Sequence, residues 1–268
     1  MAISASAQEI AGAAAYEDLH VPALFRQWAP RLIAAAAITP GMQVLDVACG
    51  TGVLAREVAR QVGNDGRVAG LDAGAGMLAV AARMAPEIEW RQGLAESLPF
   101  ETGSFDAVVS QFGLMFFSDR TLAIREMLRV LKPGGRLAIA VWESLEKSEA
   151  YPDAVNLLDR VGGVEAGDAL RAPFVLGDTL ELAGLFEVAG VQEVEIATHH
   201  GRATFPSVRA MVEADLRGWL PVMGVHLSED RIERILADAE HVLAQFVTVD
   251  GSVEFDAPAH IVTGRCSG

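Results

Sequence analysis

The nine residues Val44-Leu45-Asp46-Val47-Ala48-Cys49-Gly50-Thr51-Gly52 constrain the fold more than any other stretch of the chain. An apolar run ends in a carboxylate, then in two glycines one residue apart, then in a helical pattern. A strand that delivers a tight, side-chain-poor turn onto a helix N-terminus lets backbone N–H groups touch a nucleotide-like ligand. The acid inside the strand bears on which ligand. An anionic diphosphate has no use for a carboxylate there, whereas a positively charged ligand does. Taken alone, Gly50-x-Gly52-x-x-Ala55 also fits the dinucleotide fingerprint G-x-G-x-x-A, so the loop by itself leaves both open.

The alternation around this loop predicts an α/β fold. Residues 17–38, interrupted by Pro22 and Pro30, read as one or two short helices leading into the core, and Gln43–Val47 as the first strand. Leu54, Ala55, Val58, Ala59 and Val62 have helical spacing and end on Gly63-Asn64-Asp65-Gly66. Arg67–Leu71 is a strand stopping at Asp72; Met77–Met84 a helix closed by Pro86; Ile88–Arg91 and Ser104–Ser110 are strands. Ser118 or Asp119 opens a helix carrying Ile124, Met127, Leu128 and Leu131 on one face, which Lys132-Pro133-Gly134-Gly135 should stop. Leu137–Trp142 is a further strand. Strands alternating with helices of this length imply βαβ units and a mostly parallel sheet.

Beyond Trp142 the rhythm loosens. Residues 143–175 read as a helix plus irregular chain, Asp178 with Glu181 caps a helix closing on Gly190, and Val191–Ala197 is a strand. Residues 206–246 read as helical, Asp250-Gly251 signals a hairpin between Phe246–Val249 and Ser252–Phe255, and His260–Arg265 is a last strand. The expected organisation is an N-terminal helical lid (1–38), an α/β core (39–142), a cap insertion (143–175), a return to the core (176–205), a helical cap insertion (206–246) and final core strands (247–268).

A net charge of −15 argues against nucleic acid, whose binding rests on phosphate neutralisation by Lys and Arg. Cys49 and Cys266 suggest no structural disulfide, and no Cys/His spacing suggests a zinc site, so no metal is expected. The first fifteen residues lack a signal-peptide pattern and no apolar run is long enough to span a membrane. A cytoplasmic protein acting on a small molecule, monomer or homodimer, is the expectation.

Three further features repeat the logic of the loop. Asp72 ends the second strand 20 residues after Gly52, placed to accept from ribose hydroxyls. Gly93-Leu94-Ala95-Glu96-Ser97-Leu98-Pro99-Phe100 follows the third strand, where an adenine edge would lie, and Ser110-Gln111-Phe112-Gly113 ends the fourth on the same crevice. In order, VLDVACGTG, GLDAGAGML, GLAESLPF, SFDAVVSQFGLMFF and REMLRVLKPGGRLAIAVW resemble the class I S-adenosylmethionine (SAM)-dependent methyltransferases. The group most resembled is the small-molecule one that includes the ubiquinone/menaquinone-biosynthesis enzymes. The resemblance is strong over roughly residues 40–142.

It implies a Rossmann-like, mostly parallel seven-stranded sheet flanked by helices, with a helical cap, and methyl transfer from SAM with release of S-adenosylhomocysteine. Backbone around Ala48, Gly50 and Gly52, with Thr51, would hold the methionine part, and Asp46 its ammonium. Asp72 and Ala73 would take the ribose, Met77 would cover the adenine, Leu94 and Ala95 would meet its edge, and Gln111 would lie near the ammonium and the reacting methyl. Two departures stand out: Ala48 replaces the first glycine of G-x-G-x-G, and Leu94 stands where relatives often carry an Asp that accepts from the adenine amino group, so that contact is either missing or supplied by Glu96.

Methyl transfer from a sulfonium needs alignment and a dry site, and a base only when the acceptor arrives protonated. The base candidates are His199, His200 and His226. Tyr16 would belong to the lid, and Phe112, Met115, Phe116, Trp142, Phe174, Trp219 and Met223 would wall an apolar, aromatic acceptor pocket. The rival readings are a SAM-binding module without turnover and an NAD(P)-dependent oxidoreductase.

Overall fold

Helical structure begins earlier than residue 17. Ser6 Oγ accepts from the Glu9 N–H and the Glu9 carboxylate accepts from the Ser6 N–H, a capping box that opens α1 (Ala7–Ala15). The computed structural model describes residues 4–267. From α1 the chain runs on as a π-helical segment, Tyr16–Phe25, which contains Pro22. Proline has no N–H for an α-helical ladder, and wider turns accommodate the gap. A 3-10 turn (Arg26–Trp28) leads into α2 (Ala29–Ala35).

The core then alternates as expected: β1 (Gln43–Val47), α3 (Val53–Val62), β2 (Arg67–Asp72), α4 (Ala75–Met84), β3 (Glu89–Gln92), β4 (Phe105–Gln111), α5 (Arg120–Val130) and β5 (Leu131–Trp142). Lys132-Pro133-Gly134-Gly135 does not simply stop α5. Leu131 already pairs with Phe105 and Arg136 with Ala107, so the four residues bulge out of a strand that has begun.

The segment 143–175 is more helical than expected, with α6 (Tyr151–Leu157), a second π-helical segment (Leu158–Gly162) and α7 (Val164–Arg171). Asp178 caps α8 (Thr179–Ala189) by accepting from the Leu180 and Glu181 N–H groups, and Gly190 ends it at φ +96°. Then follow β6 (Gln192–His199), β7 (Arg202–Phe205), α9 (Val208–Glu213), a third π-helical segment (Ala214–Trp219), α10 (Leu220–Val222), α11 (Glu229–Val242), β8 (Val253–Asp256) and β9 (Ala259–Arg265).

The seven-stranded sheet has the order β3-β2-β1-β4-β5-β9-β6, parallel except where β9 runs antiparallel between β5 and β6. Val44, Leu45, Val47, Val108 and Val109 are buried, as strands covered on both faces must be. The hairpin read at Asp250-Gly251 is corrected. β8 pairs antiparallel with β7 in a separate two-stranded sheet, while across the turn itself the contact is the single bridge of Val247 to Val253 with the Thr248 N–H donating to the Ser252 carbonyl at 2.8 Å. No helix among the described residues is long and apolar enough to cross a membrane.

Candidate functional site

Chain order reverses between β1 and β4, and ligands of doubly wound sheets sit at that point, beyond the carboxyl ends of the strands. The VLDVACGTG loop leaves β1 there. Ala48, Gly50 and Gly52 all adopt positive φ (57°, 55° and 86°), which turns the chain tightly onto α3. Gly52 has a second reason to be glycine. A Cβ there would stand 2.5 Å from the Trp90 ring, and one on Gly70 2.4 Å from it, so the indole of β3 packs across two bare backbones beneath the loop.

Asp46, Ala48, Gly50, Thr51 and Gln111 line one cavity of about 280 Å3, with Tyr16. Asp46 is 1% exposed and neither carboxylate oxygen has a hydrogen-bond partner. Burial pushes its titration well above the usual carboxylate range, the Asp72 charge adds to this, and the nearby Ala55 N–H opposes it only in part. Gln111 Nε2 donates to the Phe25 carbonyl at 3.2 Å while its Oε1 is buried and unpartnered. Orphaned acceptors around a small cavity call for a donor-rich, cationic guest. The ammonium of SAM meets that demand; a diphosphate would add charge of the same sign. The residues fit SAM.

Asp72 already has partners: Oδ2 accepts from the Gly50 N–H and Oδ1 from the Gly74 N–H, each at 2.8 Å. It ties the first loop to the turn before α4, with lone pairs left for ribose hydroxyls. Ala73 is exposed and its carbonyl accepts from Gln92 Nε2. Met77 lies apart from this cavity, in a groove between α4 and α1 with Glu9, Gly74 and Gly76. Ala95 is buried, and Leu94 is 60% exposed. Glu96 does not stand free as an adenine acceptor, because its Oε1 accepts from the Ser118 N–H at 2.8 Å and so ties down the approach to α5.

Beyond Tyr16 lies a second cavity of about 650 Å3. Phe112, Phe116, Trp142, Phe174 and Trp219 line it, five of the seven wall residues expected from the sequence, together with Tyr16 of the expected lid. Phe112 and Trp142 stack at 3.9 Å and 12° to make a flat aromatic surface. Met115 is buried in the core and Met223 packs against it; neither lines the cavity.

None of the three expected base candidates lines the aromatic cavity. His199, at the end of β6, faces a surface groove with Arg31, and burial first, then the Arg31 charge, push its titration down. His200 is exposed, and exposed His226 borders the groove beside α1. Sequence reasoning missed His20. It lines the aromatic cavity from the N-terminal π-helical segment, with Nε2 3.3 Å from Asp215 Oδ1. Their separation of 195 positions along the chain left no local signal.

A doubly wound sheet with a cationic nucleotide-cofactor loop at its switch point and an aromatic chamber beside it defines the class of protein. Residues 44–135 match the family described as a methyltransferase domain. The ubiquinone/menaquinone biosynthesis C-methyltransferase of Idiomarina loihiensis is 32% identical over 208 residues, covering 69% of this chain and 83% of that enzyme. The enzyme of the same description from Ralstonia nicotianae is 35% identical over 211 residues, 69% of this chain and 85% of that one. The 2-phytyl-1,4-naphtoquinone methyltransferase of Thermosynechococcus vestitus is 42% identical over 119 residues, 43% of this chain and 53% of its own. The fold is shared with the phosphoethanolamine N-methyltransferase 2 of Haemonchus contortus in complex with S-adenosyl-L-methionine, at a TM-score of 0.61 and 18% identity, over 97% of this chain and 57% of that one.

The chain belongs to the class I SAM-dependent methyltransferases. It is an enzyme that takes its methyl group from SAM, similar within that family to the ubiquinone/menaquinone C-methyltransferases.

Proposed function

We propose that the enzyme methylates a small, apolar, hydroxylated aromatic ring of the quinol type, held in the 650 Å3 cavity. The observation that carries this is Tyr16, which lines both cavities and so sets the aromatic chamber against the cofactor loop. The relatives' names, which concern ubiquinone, menaquinone and a phytyl naphthoquinone, support the same chemistry.

SAM supplies a methyl already activated by its sulfonium. Asp46, with Gln111, receives the ammonium, and the loop from Ala48 to Gly52 lies along the methionine part. Asp72 and Ala73 serve the ribose, while Met77, Leu94 and Ala95 serve the adenine. The stacked Phe112 and Trp142 align the acceptor ring, and the surrounding apolar walls exclude water, which leaves alignment as the main catalytic contribution.

Residues 1–38 act as a lid and 143–175 with 206–246 as a cap over the core 39–142, which continues in 176–205 and 247–268; residues 1–3 and 268 lie outside the described residues. The partner is a small molecule rather than nucleic acid, in keeping with the net charge of −15. Two free thiols, Cys49 and Cys266, suit a reducing cytoplasm. Transfer of labelled methyl from SAM to reduced naphthohydroquinone, in preference to ethanolamine phosphate, is the expected result. The opposite preference would overturn the aromatic acceptor.

A further inference from the structure

We propose that His20, oriented by Asp215, is the general base that removes the acceptor's hydroxyl proton; this rests on the hydroxylated-ring reading above. The two residues come from different π-helical segments, Tyr16–Phe25 and Ala214–Trp219, which pack together over the aromatic cavity. π-Helical turns are uncommon and often mark functional positions. Both side chains are 5% exposed as residues, so the pair sits inside the protein rather than on its surface.

The geometry selects a tautomer. Nε2 lies 3.3 Å from the Asp215 carboxylate and donates to it, which leaves the lone pair on Nδ1. Nδ1 is buried with no hydrogen-bond partner. A carboxylate holding one imidazole nitrogen while the other, beside the bare Gly218 backbone, is left without a partner is the arrangement of an oriented base. The other polar side chains on this cavity are Tyr16, Ser148, Tyr151 and Asp215. Burial pushes both phenols far up, Tyr16 with help from Asp72 and Tyr151 with help from Asp215, so neither is a base at neutral pH. Asp215 is taken by His20. Among the described residues no Lys or Arg lines the cavity to compete.

In the step itself the acceptor O–H proton passes to Nδ1. The electron pair left on the oxyanion, or delocalised from it onto a ring carbon, forms the new bond to the methyl carbon. The pair of the broken carbon–sulfur bond stays on sulfur, giving neutral S-adenosylhomocysteine, and the imidazolium returns its proton to solvent. For attack through a ring carbon, the hydrogen on that carbon then leaves as a proton to solvent when the ring regains aromaticity, and the resulting phenolate takes up a proton from solvent.

The test uses two acceptors on the full-length protein: beta-naphthol, un-ionised at neutral pH, and para-nitrophenol, largely ionised in mildly alkaline buffer. His20→Gln keeps an N–H for Asp215 and removes the basic nitrogen. It is expected to lower kcat on beta-naphthol about a hundredfold and on para-nitrophenolate by less than about tenfold. Wild-type kcat on beta-naphthol should rise through a titration that His20→Gln lacks; the titratable groups facing His20 are Tyr16, Tyr151 and Asp215. Independently of turnover, para-nitrophenol added to the S-adenosylhomocysteine complex in mild acid should gain its phenolate absorbance on wild type and not on His20→Gln. Asp215→Asn should show the same split, and carries the test if His20→Gln does not fold. Equal losses on both acceptors, or none, would overturn the base. A wild type that binds SAM by calorimetry and methylates neither acceptor overturns the acceptor reading instead.

Discussion

Glu17 Oε1 accepts from Arg56 Nη2 at 2.7 Å, and this pair fastens the N-terminal π-helical segment to α3. Glu17 Oε2 also accepts from Thr51 Oγ1 at 2.5 Å, so one carboxylate holds both the helix and the cofactor loop. Tyr16 of the same segment lines the small cavity beside the loop, so displacement of the segment would change access to the cofactor site. Removing one partner of a buried ion pair costs about 3 kcal/mol. Glu17→Ala is therefore expected to lower Tm by several degrees, speed amide exchange over Tyr16–Phe25, and raise both on- and off-rates for SAM. Unchanged exchange in that segment would show that the pair is no latch.

Asp46 gives the ligand-free enzyme an unusual pH response. Burial and the Asp72 charge raise its carboxyl titration in the folded state above the unfolded one. The stability this contributes is present in acid and is lost as pH rises through the raised folded value. A bound cation reverses the preference, so SAM should bind more tightly as pH rises through the same window. Asp46→Asn should flatten that slope and weaken binding at neutral pH by about 1–3 kcal/mol, read by calorimetry with S-adenosylhomocysteine. A slope that persists in the variant would place the titrating group elsewhere.

Asp72 is predicted to have two separable roles. Asp72→Ala removes the acceptor for the Gly50 and Gly74 N–H groups, so it should destabilise the ligand-free protein as well as cost about 1–3 kcal/mol in SAM binding. Asp72→Asn, which keeps one carbonyl oxygen, should recover part of the unfolding midpoint. Ribose recognition would be refuted by Asp72→Ala with wild-type affinity.

Ala48 and Gly113 should be coupled. Ala48 holds a left-handed backbone at φ +57°, and a Cβ on Gly113 would stand 2.4 Å from its methyl. Gly113→Ala is expected to cost about 1–3 kcal/mol in urea unfolding, and about 1 kcal/mol less when Ala48 is also glycine. Additive effects would mean that the two residues do not press on one another.

The elements legible in the sequence are those whose signal is local. Gln43–Val47 and Val53–Val62 fall where the apolar run and the helical period place them, and Asp178 and Gly190 cap α8 as their chemistry requires. What escaped depends on distant partners. Asp250-Gly251 is good hairpin chemistry, but β8 finds its long-range partner in β7, some fifty residues earlier, because Phe205 and Phe255 bury there together. The capping box of Ser6 and Glu9 was readable, yet the Ala-rich stretch after it has no apolar stripe to announce a helix. Much of the cofactor loop follows from residue type and order. The pairing of His20 with Asp215 does not, since only the packing of two π-helical segments brings them together.

The placement of Tyr16 on both cavities has a thermodynamic consequence. A ring that forms a wall for two ligands cannot settle for one without altering the surface offered to the other. Linkage makes the effect reciprocal: whatever factor the cofactor imposes on acceptor affinity, the acceptor imposes on the cofactor. On the proposed function, Tyr16 would make the reactant pair, rather than either molecule alone, the unit of recognition.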